Sequence, residues 1–484
     1  MPRRDHYDLI VRNATVIDGT KATRYPGEIG VRGGRVAKLG ALGNARADIE
    51  VDGSGLIAAP GFIDAHTHDD RLLLSDPDVT PKLSQGVTTV VIGNCGISLA
   101  HSPAPRGAIT PPLDLLDSDG HWFRFAGFRA YREELEARPA AINAACLAGH
   151  TTFRVAAMDR LDRPATRAEI AKMREMARES LAAGAIGIST GTAYPPAACA
   201  TTDEIVEVCR PLSEFGGLYV THMRNEDDHI TDSMEETFGI GRTLGVPVVI
   251  SHHKCVGTAN HGRSPETLAL IEKNRRAQPV GLDCYPYIAS STVLRYDRLA
   301  QSSRVIITWS KPHPEFSGVD LDEVARRLQM TRAEAVEAIK PAGAIYFMLD
   351  ERDVQRILQF DRTMIGSDGL PHDARPHPRL WGTFPRVLGH YSRDLGLFPL
   401  ETAVYKMTGL TAKTFGLRGR GVLQEGAHAD ITLFNADTVS DAADFEHSTR
   451  PARGIATVIV NGEIAWRDGR PTGARAGRVL QRGT

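Results

Sequence analysis

Two histidines two residues apart, His66 and His68 in GFIDAHTHDD, close a run that reads as a β-strand. A period of two puts both imidazoles on one strand face, where a divalent cation fits. Such pairs also occur in surface loops, so this one gains force from its company: Cys95 closes TTVVIGNC, His222 closes LYVTHM, His252 or His253 closes VPVVISHH, and Asp368 closes RTMIGSD. Each has an ordinary alternative. Cys95 alone reads as an inert buried thiol, His222 as a core histidine bonded to backbone, and Asp368 as the cap of a following helix. Taken together, soft thiolate, imidazole and carboxylate favour zinc over magnesium or calcium, with iron, cobalt and manganese also open. Alternation along the strand does not choose between His252 and His253.

These residues need a frame that gathers strand ends. Eight β-branched or apolar runs recur, GFIDAHTH, TTVVIGNC, AINAACLAG, AIGISTGT, LYVTHM, VPVVISHH, VGLDCYPY and RTMIGSDG, separated by helical patterns such as ATRAEIAKMREMARESLAAG. Eight βα units close a barrel, and in a parallel barrel all carboxyl ends of the strands open on one face, where barrel enzymes keep their sites. The expected class is therefore α/β, a (β/α)8 TIM-like barrel over 60–415. Short strands cut by Gly-rich turns before it (1–59) and after it (416–484) predict one small β-sandwich built from both termini. In the later part, Asn461-Gly462 is a hairpin signal. The stretch from about 290 to 345, between strands seven and eight, is too long for a structureless loop and reads as an inserted subdomain or lid.

Composition narrows the partners. The 484 residues are 42% hydrophobic and 24% charged, with 57 basic against 59 acidic side chains and a formal charge of -2. That excludes a disordered or collagen-like chain, and the absence of Lys/Arg runs argues against nucleic acid or an anionic membrane. A small-molecule substrate is the expected partner. Asp5, His6, Asp8, Arg12 and Asn13 interrupt any apolar leader, and no uncharged run approaches the ~18 residues of a membrane span, so a soluble, cytoplasmic protein is expected. Six cysteines without a CxxC pair predict reduced thiols.

GFIDAHTH opening a barrel between two β flaps resembles the amidohydrolase superfamily. VIGNCGIS, THMRNE, SHHK, DCYPY and GSDG resemble its N-acyl-D-amino-acid deacylase (D-aminoacylase) branch, over about residues 7 to 465. The resemblance implies that His66, His68, Cys95, His222, His252 and Asp368 form the metal site. Cys95 would stand between two positions, one holding Zn2+ tightly and a second more weakly. Hydantoinase-like relatives bridge their metals with a carbamylated lysine at the end of the fourth strand. AIGISTGTAYPP has no lysine there, so the bridging charge falls to the Cys95 thiolate.

Zinc lowers the pKa of water to about 7 and polarises an amide carbonyl, supplying hydroxide as nucleophile. Asp368 is then the expected general base and acid. The substrate's α-carboxylate needs a cationic clamp. Lys254, Tyr285 and Arg379 match the family for that role, against the alternatives of solvated charges and a packed aromatic. Arg295, just after the seventh strand, would read a second carboxylate and favour N-acyl-D-glutamate, unless it merely pairs with Asp297. The carboxylates of MRNEDD and Asp283 are expected to orient the ligands, and His150 to end the third strand near the pocket. A preference for D substrates rests on the resemblance alone. The competing expectations are another amidohydrolase, a cyclic amidase or deaminase, and a non-enzymatic barrel scaffold.

Overall fold

Val87–Ile92, VTTVVI, is buried at every position. Continuous β-branched runs of this kind belong to parallel strands covered on both faces. Seven further strands accompany it: Phe62–Asp64, Asn143–Gly149, Gly187–Gly191, Leu218–His222, Val248–Ile250, Val280–Cys284 and Thr363–Ile365. In the computed structural model, which describes residues 6–102 and 108–483, these eight pair in sequence order. The ring closes where the Ala65 amide donates to the Ile365 carbonyl at 3.1 Å and the Asp368 amide to the His66 carbonyl at 2.8 Å. Helices wrap the outside. Arg167–Ala182 starts on a Thr166/Glu169 capping box and buries Met173, Ala177 and Leu181.

A second sheet joins the two ends of the chain. Its N-terminal strands run from His6–Val16 to Ile57–Pro60, its C-terminal strands from Ile431–Phe434 to Arg470–Pro471, and Ile57–Pro60 pairs antiparallel with Ile431–Phe434. Asn461 (φ 49°) and Gly462 (φ 87°) make the hairpin turn in the left-handed region that this dipeptide favours. The sequence placed all of 416–484 in the sandwich, and here the structure differs. Val479–Leu480 leaves it and pairs with Ala144 and Ala145 of the third barrel strand. The fourth strand covers the third only from Leu147 onward, so the lower edge is open to a further strand.

Between the seventh and eighth strands, Ala289–Val293, Ala342–Phe347 and Arg304–Ser310 form a three-stranded antiparallel sheet. Helices Leu321–Leu328 and Arg332–Ile339 cover it, and Val305, Ile307, Leu321, Val324 and Val336 pack into a core of its own. Its first strand presents Ser290, Ser291 and Thr292 to the cavity at the barrel mouth.

Candidate metal centre and active site

The donor atoms converge beneath that cavity. Cys95 Sγ lies 3.3 Å from His66 Nε2 and 3.4 Å from His252 Nε2, and His252 Nε2 lies 3.0 Å from His222 Nδ1. Asp368 Oδ1 is 3.2 Å from His68 Nε2 and 3.5 Å from His66 Nε2. All six residues are buried. A tetrahedral ion with ligands at about 2.0 to 2.3 Å sets its donors roughly 3.3 to 3.7 Å apart, which the spacings around Cys95 and between His66 and Asp368 match, while the His252–His222 and His68–Asp368 pairs sit slightly closer. The donor atoms of His66, Cys95, His252 and Asp368 all lie within 4.8 Å of one another, with His68 beside Asp368 and His222 beside His252.

Local backbone aims these groups. Cys95, His252 and Asp368 all adopt positive φ, at 54°, 37° and 50°. A non-glycine residue there costs about 1–3 kcal/mol and persists only where surrounding structure enforces it, typically at functional sites. Burial keeps the His66, His222 and His252 imidazoles neutral and able to ligate, with His66 and His222 each pushed down to about 3. Burial, reinforced by Asp368, holds the Cys95 thiol well above its ordinary value. Binding of a cation at this point displaces that proton.

Behind the second half of the centre stands one carboxylate. Glu226 Oε2 lies 3.4 Å from His222 Nε2 and Oε1 lies 3.1 Å from His252 Nδ1, the ring nitrogens that face away from the cluster. A carboxylate there fixes the tautomer that leaves the opposite nitrogen free for a metal. Lys254 Nζ sits 2.6 Å from the same Oε1, a cation that disfavours a metal on the Glu226 side. Asp283 backs the first half, with Oδ2 3.5 Å from His66 Nδ1 and Oδ1 accepting from the His252 amide at 3.0 Å.

The match to the amidohydrolase family model spans residues 50–465. The chain belongs to the amidohydrolase family. Among its relatives from Alcaligenes xylosoxydans xylosoxydans, D-aminoacylase is 60% identical, with 98% of each chain covered. N-acyl-D-aspartate deacylase is 51% identical, covering 98% of this chain and 95% of that one. N-acyl-D-glutamate deacylase is 45% identical, covering 99% and 97%. A crystal structure of D-aminoacylase superposes with a TM-score of 0.96 at 59% identity, over 98% of this chain and 100% of that one. The N-acyl-D-glutamate deacylase of Bordetella bronchiseptica, solved with zinc and a phosphonate that mimics the tetrahedral intermediate, superposes at 0.95 with 45% identity and the same coverage.

Within this amidohydrolase the other candidates divide. His252, not His253, joins the centre. His253 points outward, with Nε2 2.9 Å from Thr267 Oγ1. Lys254 and Tyr285 line the cavity at the barrel mouth, together with His68, His222, His252 and Asp368. Arg379 is fully buried directly behind Asp368, with Nη2 2.9 Å from its Oδ2 and the guanidinium 4.5 Å from the Tyr285 ring centroid. Arg295 reaches the wall, but Asp297 takes its Nε at 3.0 Å and Nη2 at 2.6 Å, and the Ala193 carbonyl takes Nη1 at 3.0 Å. The expected free cation at 295 is thus a bidentate pair. His150 packs against Glu204 at 3.6 Å, away from the cavity lining. Unforeseen from sequence were Tyr194, whose ring meets His222 edge-on at 5.0 Å, and Lys82 beneath the mouth, in a TPKL segment that carries no motif.

Proposed function

We propose that this chain is a zinc-dependent deacylase that hydrolyses the amide of N-acyl-D-amino acids to a carboxylate and the free D-amino acid. Its relatives act on such substrates by name, as D-aminoacylase and as N-acyl-D-aspartate and N-acyl-D-glutamate deacylases. A D-aminoacylase structure of TM-score 0.95 is described as having a binuclear metal centre with one-metal activation and second-metal attenuation. The four-donor cluster of His66, Cys95, His252 and Asp368, with His68 and His222 at its edges, supports the same reading here: one zinc held tightly and a second weakly.

The observation that carries the reading is the meeting of this donor set with three buried, unpaired donor atoms on two residues. The Tyr285 hydroxyl and Arg379 Nε and Nη1 have no hydrogen-bond partner among the described residues. Each buried donor left unmade costs about 1–3 kcal/mol, and a substrate α-carboxylate satisfies them. Zinc, when bound, acidifies water and polarises the scissile carbonyl. Asp368 takes a proton from the attacking water and returns it to the departing amine nitrogen. Lys254, held by Glu226, adds positive charge at the cavity wall.

The cyclic-amidase alternative fits poorly. The fourth strand ends at Gly191, where even a Cβ would meet the Cys95 carbonyl oxygen at 2.0 Å. Cys95 backbone fills the room that a bridging lysine would need. Assays of free-amine release from N-acetyl-D-methionine, N-acetyl-L-methionine and a hydantoin separate the readings. Turnover confined to the D-acyl substrate supports the deacylase, and turnover of the hydantoin alone overturns it.

A further inference from the structure

Lys82 is completely buried, a rare state for a lysine unless it is paired. It sits in the short helix Thr80–Leu83, and its Nζ donates to Asp64 Oδ2 and to Ser367 Oγ, each at 2.8 Å, with Asp69 Oδ2 at 3.4 Å. These partners lie on either side of the metal donors. Asp64 ends the first strand, and its other oxygen accepts from the Ser367 amide at 2.8 Å and the His66 amide at 3.3 Å. Ser367 Oγ accepts from the Gly369 amide at 3.2 Å, and Asp368 itself donates its amide to the His66 carbonyl at 2.8 Å. The backbone before and after Asp368, held at its positive φ, is thereby pinned to the segment bearing His66 and His68.

We propose that Lys82 is a positioning residue for deacylation: through Asp64 and Ser367 it locks the first and eighth strand ends together and sets the placement of His66, His68 and Asp368. The lock is one-sided. It touches no segment that carries His222 or His252, which depend on Glu226 instead. Burial disfavours the ammonium, but Asp64 and Asp69 outweigh burial and keep Lys82 charged. The ion pair and the hydroxyl bridge thus act as one rigid clamp under half of the site.

The proposal rests on the deacylase reading, and its test separates the two. Lys82→Met breaks the clamp outright. Ser367→Ala removes only the bridge to the eighth strand and leaves the Lys82 to Asp64 pair intact, so it decides the matter if Lys82→Met does not fold. In folded variants, kcat falls about 10- to 100-fold with KM within about threefold, as for partners that orient metal ligands. In chelator-competition titrations with zinc, one of the two dissociation constants rises about tenfold or more and the other stays within about threefold. An unchanged kcat in Ser367→Ala, or equal weakening of both zinc positions, overturns the proposal. A wild-type chain that cleaves no N-acyl-D-amino acid defeats the deacylase reading instead, while the two zinc constants still decide the role of Lys82.

Discussion

Arg379 Nη2 lies 2.9 Å from Asp368 Oδ2, an ion pair that joins a fully buried guanidinium to a carboxylate of the cavity lining. Burial pushes the Asp368 carboxyl up, but the Arg379 guanidinium, followed by His66 and His252, holds it well below the usual carboxylate range. Its second oxygen faces His68 and His66. One side chain therefore meets both the imidazoles and the guanidinium to which we assign metal and substrate binding.

Asp368→Asn removes the proton carrier while keeping the shape. Turnover falls by about 10²- to 10⁴-fold, the range for loss of a general acid-base. The fold and the zinc held by Cys95, His222 and His252 are retained, but stability falls by about 3–5 kcal/mol because Arg379 is left buried without its counter-charge. Metal content and kcat measured on one preparation check this, and near-full kcat in the variant refutes the assignment.

Glu226→Gln strips the charge shared by His222 and His252. Zinc affinity drops about 10- to 100-fold. Stability falls by about 3–5 kcal/mol as well, because Lys254 is left buried without its counter-charge. Chelator competition and thermal melting report the two losses independently, and wild-type zinc affinity contradicts the role given to Glu226.

Arg295→Met tests side-chain preference. Asp297 already neutralises Arg295, and Asp297 and the Ala193 carbonyl engage all three of its nitrogens. The kcat/KM ratio of N-acetyl-D-glutamate to N-acetyl-D-methionine stays within about threefold of wild type. A selective loss of about tenfold for glutamate, the size of one 1.4 kcal/mol interaction, returns Arg295 to specificity.

Far from the site, Lys406 is buried where its Nζ meets the Phe360 carbonyl, and burial pulls its pKa down from 10.5 to about 7. Below pH 7 both folded and unfolded chains carry the proton, and the fold bears the full cost of the buried charge. Between about 7 and 10.5 the folded chain has shed a proton that the unfolded chain keeps, so stability rises with pH, by up to about 1.4 kcal/mol per unit. The melting midpoint of wild type minus that of Lys406→Met, at saturating zinc, therefore grows from pH 6 to pH 9. Parallel curves disprove the shift.

The barrel and the convergence of these side chains at its mouth were legible because each parallel strand ends where its polar residues begin. Runs such as TTVVIGNC and LYVTHM announce the strand by composition and the ligand by its last residue. The choice between His252 and His253 was not, because the positive φ of His252 breaks the strand alternation that parity counting assumes. Glu226 looks no different from its acidic neighbours in MRNEDD, and only distance to the two imidazoles separates it from them. Lys82 has no local signal at all: its partners Asp64 and Ser367 come from the first and eighth strand ends. The pairing of Val479–Leu480 with the third strand depends on an edge exposed by the late start of the fourth, a tertiary fact with no sequence pattern.

The most direct trial of the account is to assay one purified sample for zinc and for amine release from N-acetyl-D- and N-acetyl-L-methionine, before and after chelation. We expect about one firmly held zinc per chain, cleavage of the D enantiomer only, and activity that vanishes on chelation and returns with zinc. A chain that stays metal-free when zinc is supplied, or that cleaves its substrate equally well without metal, contradicts it.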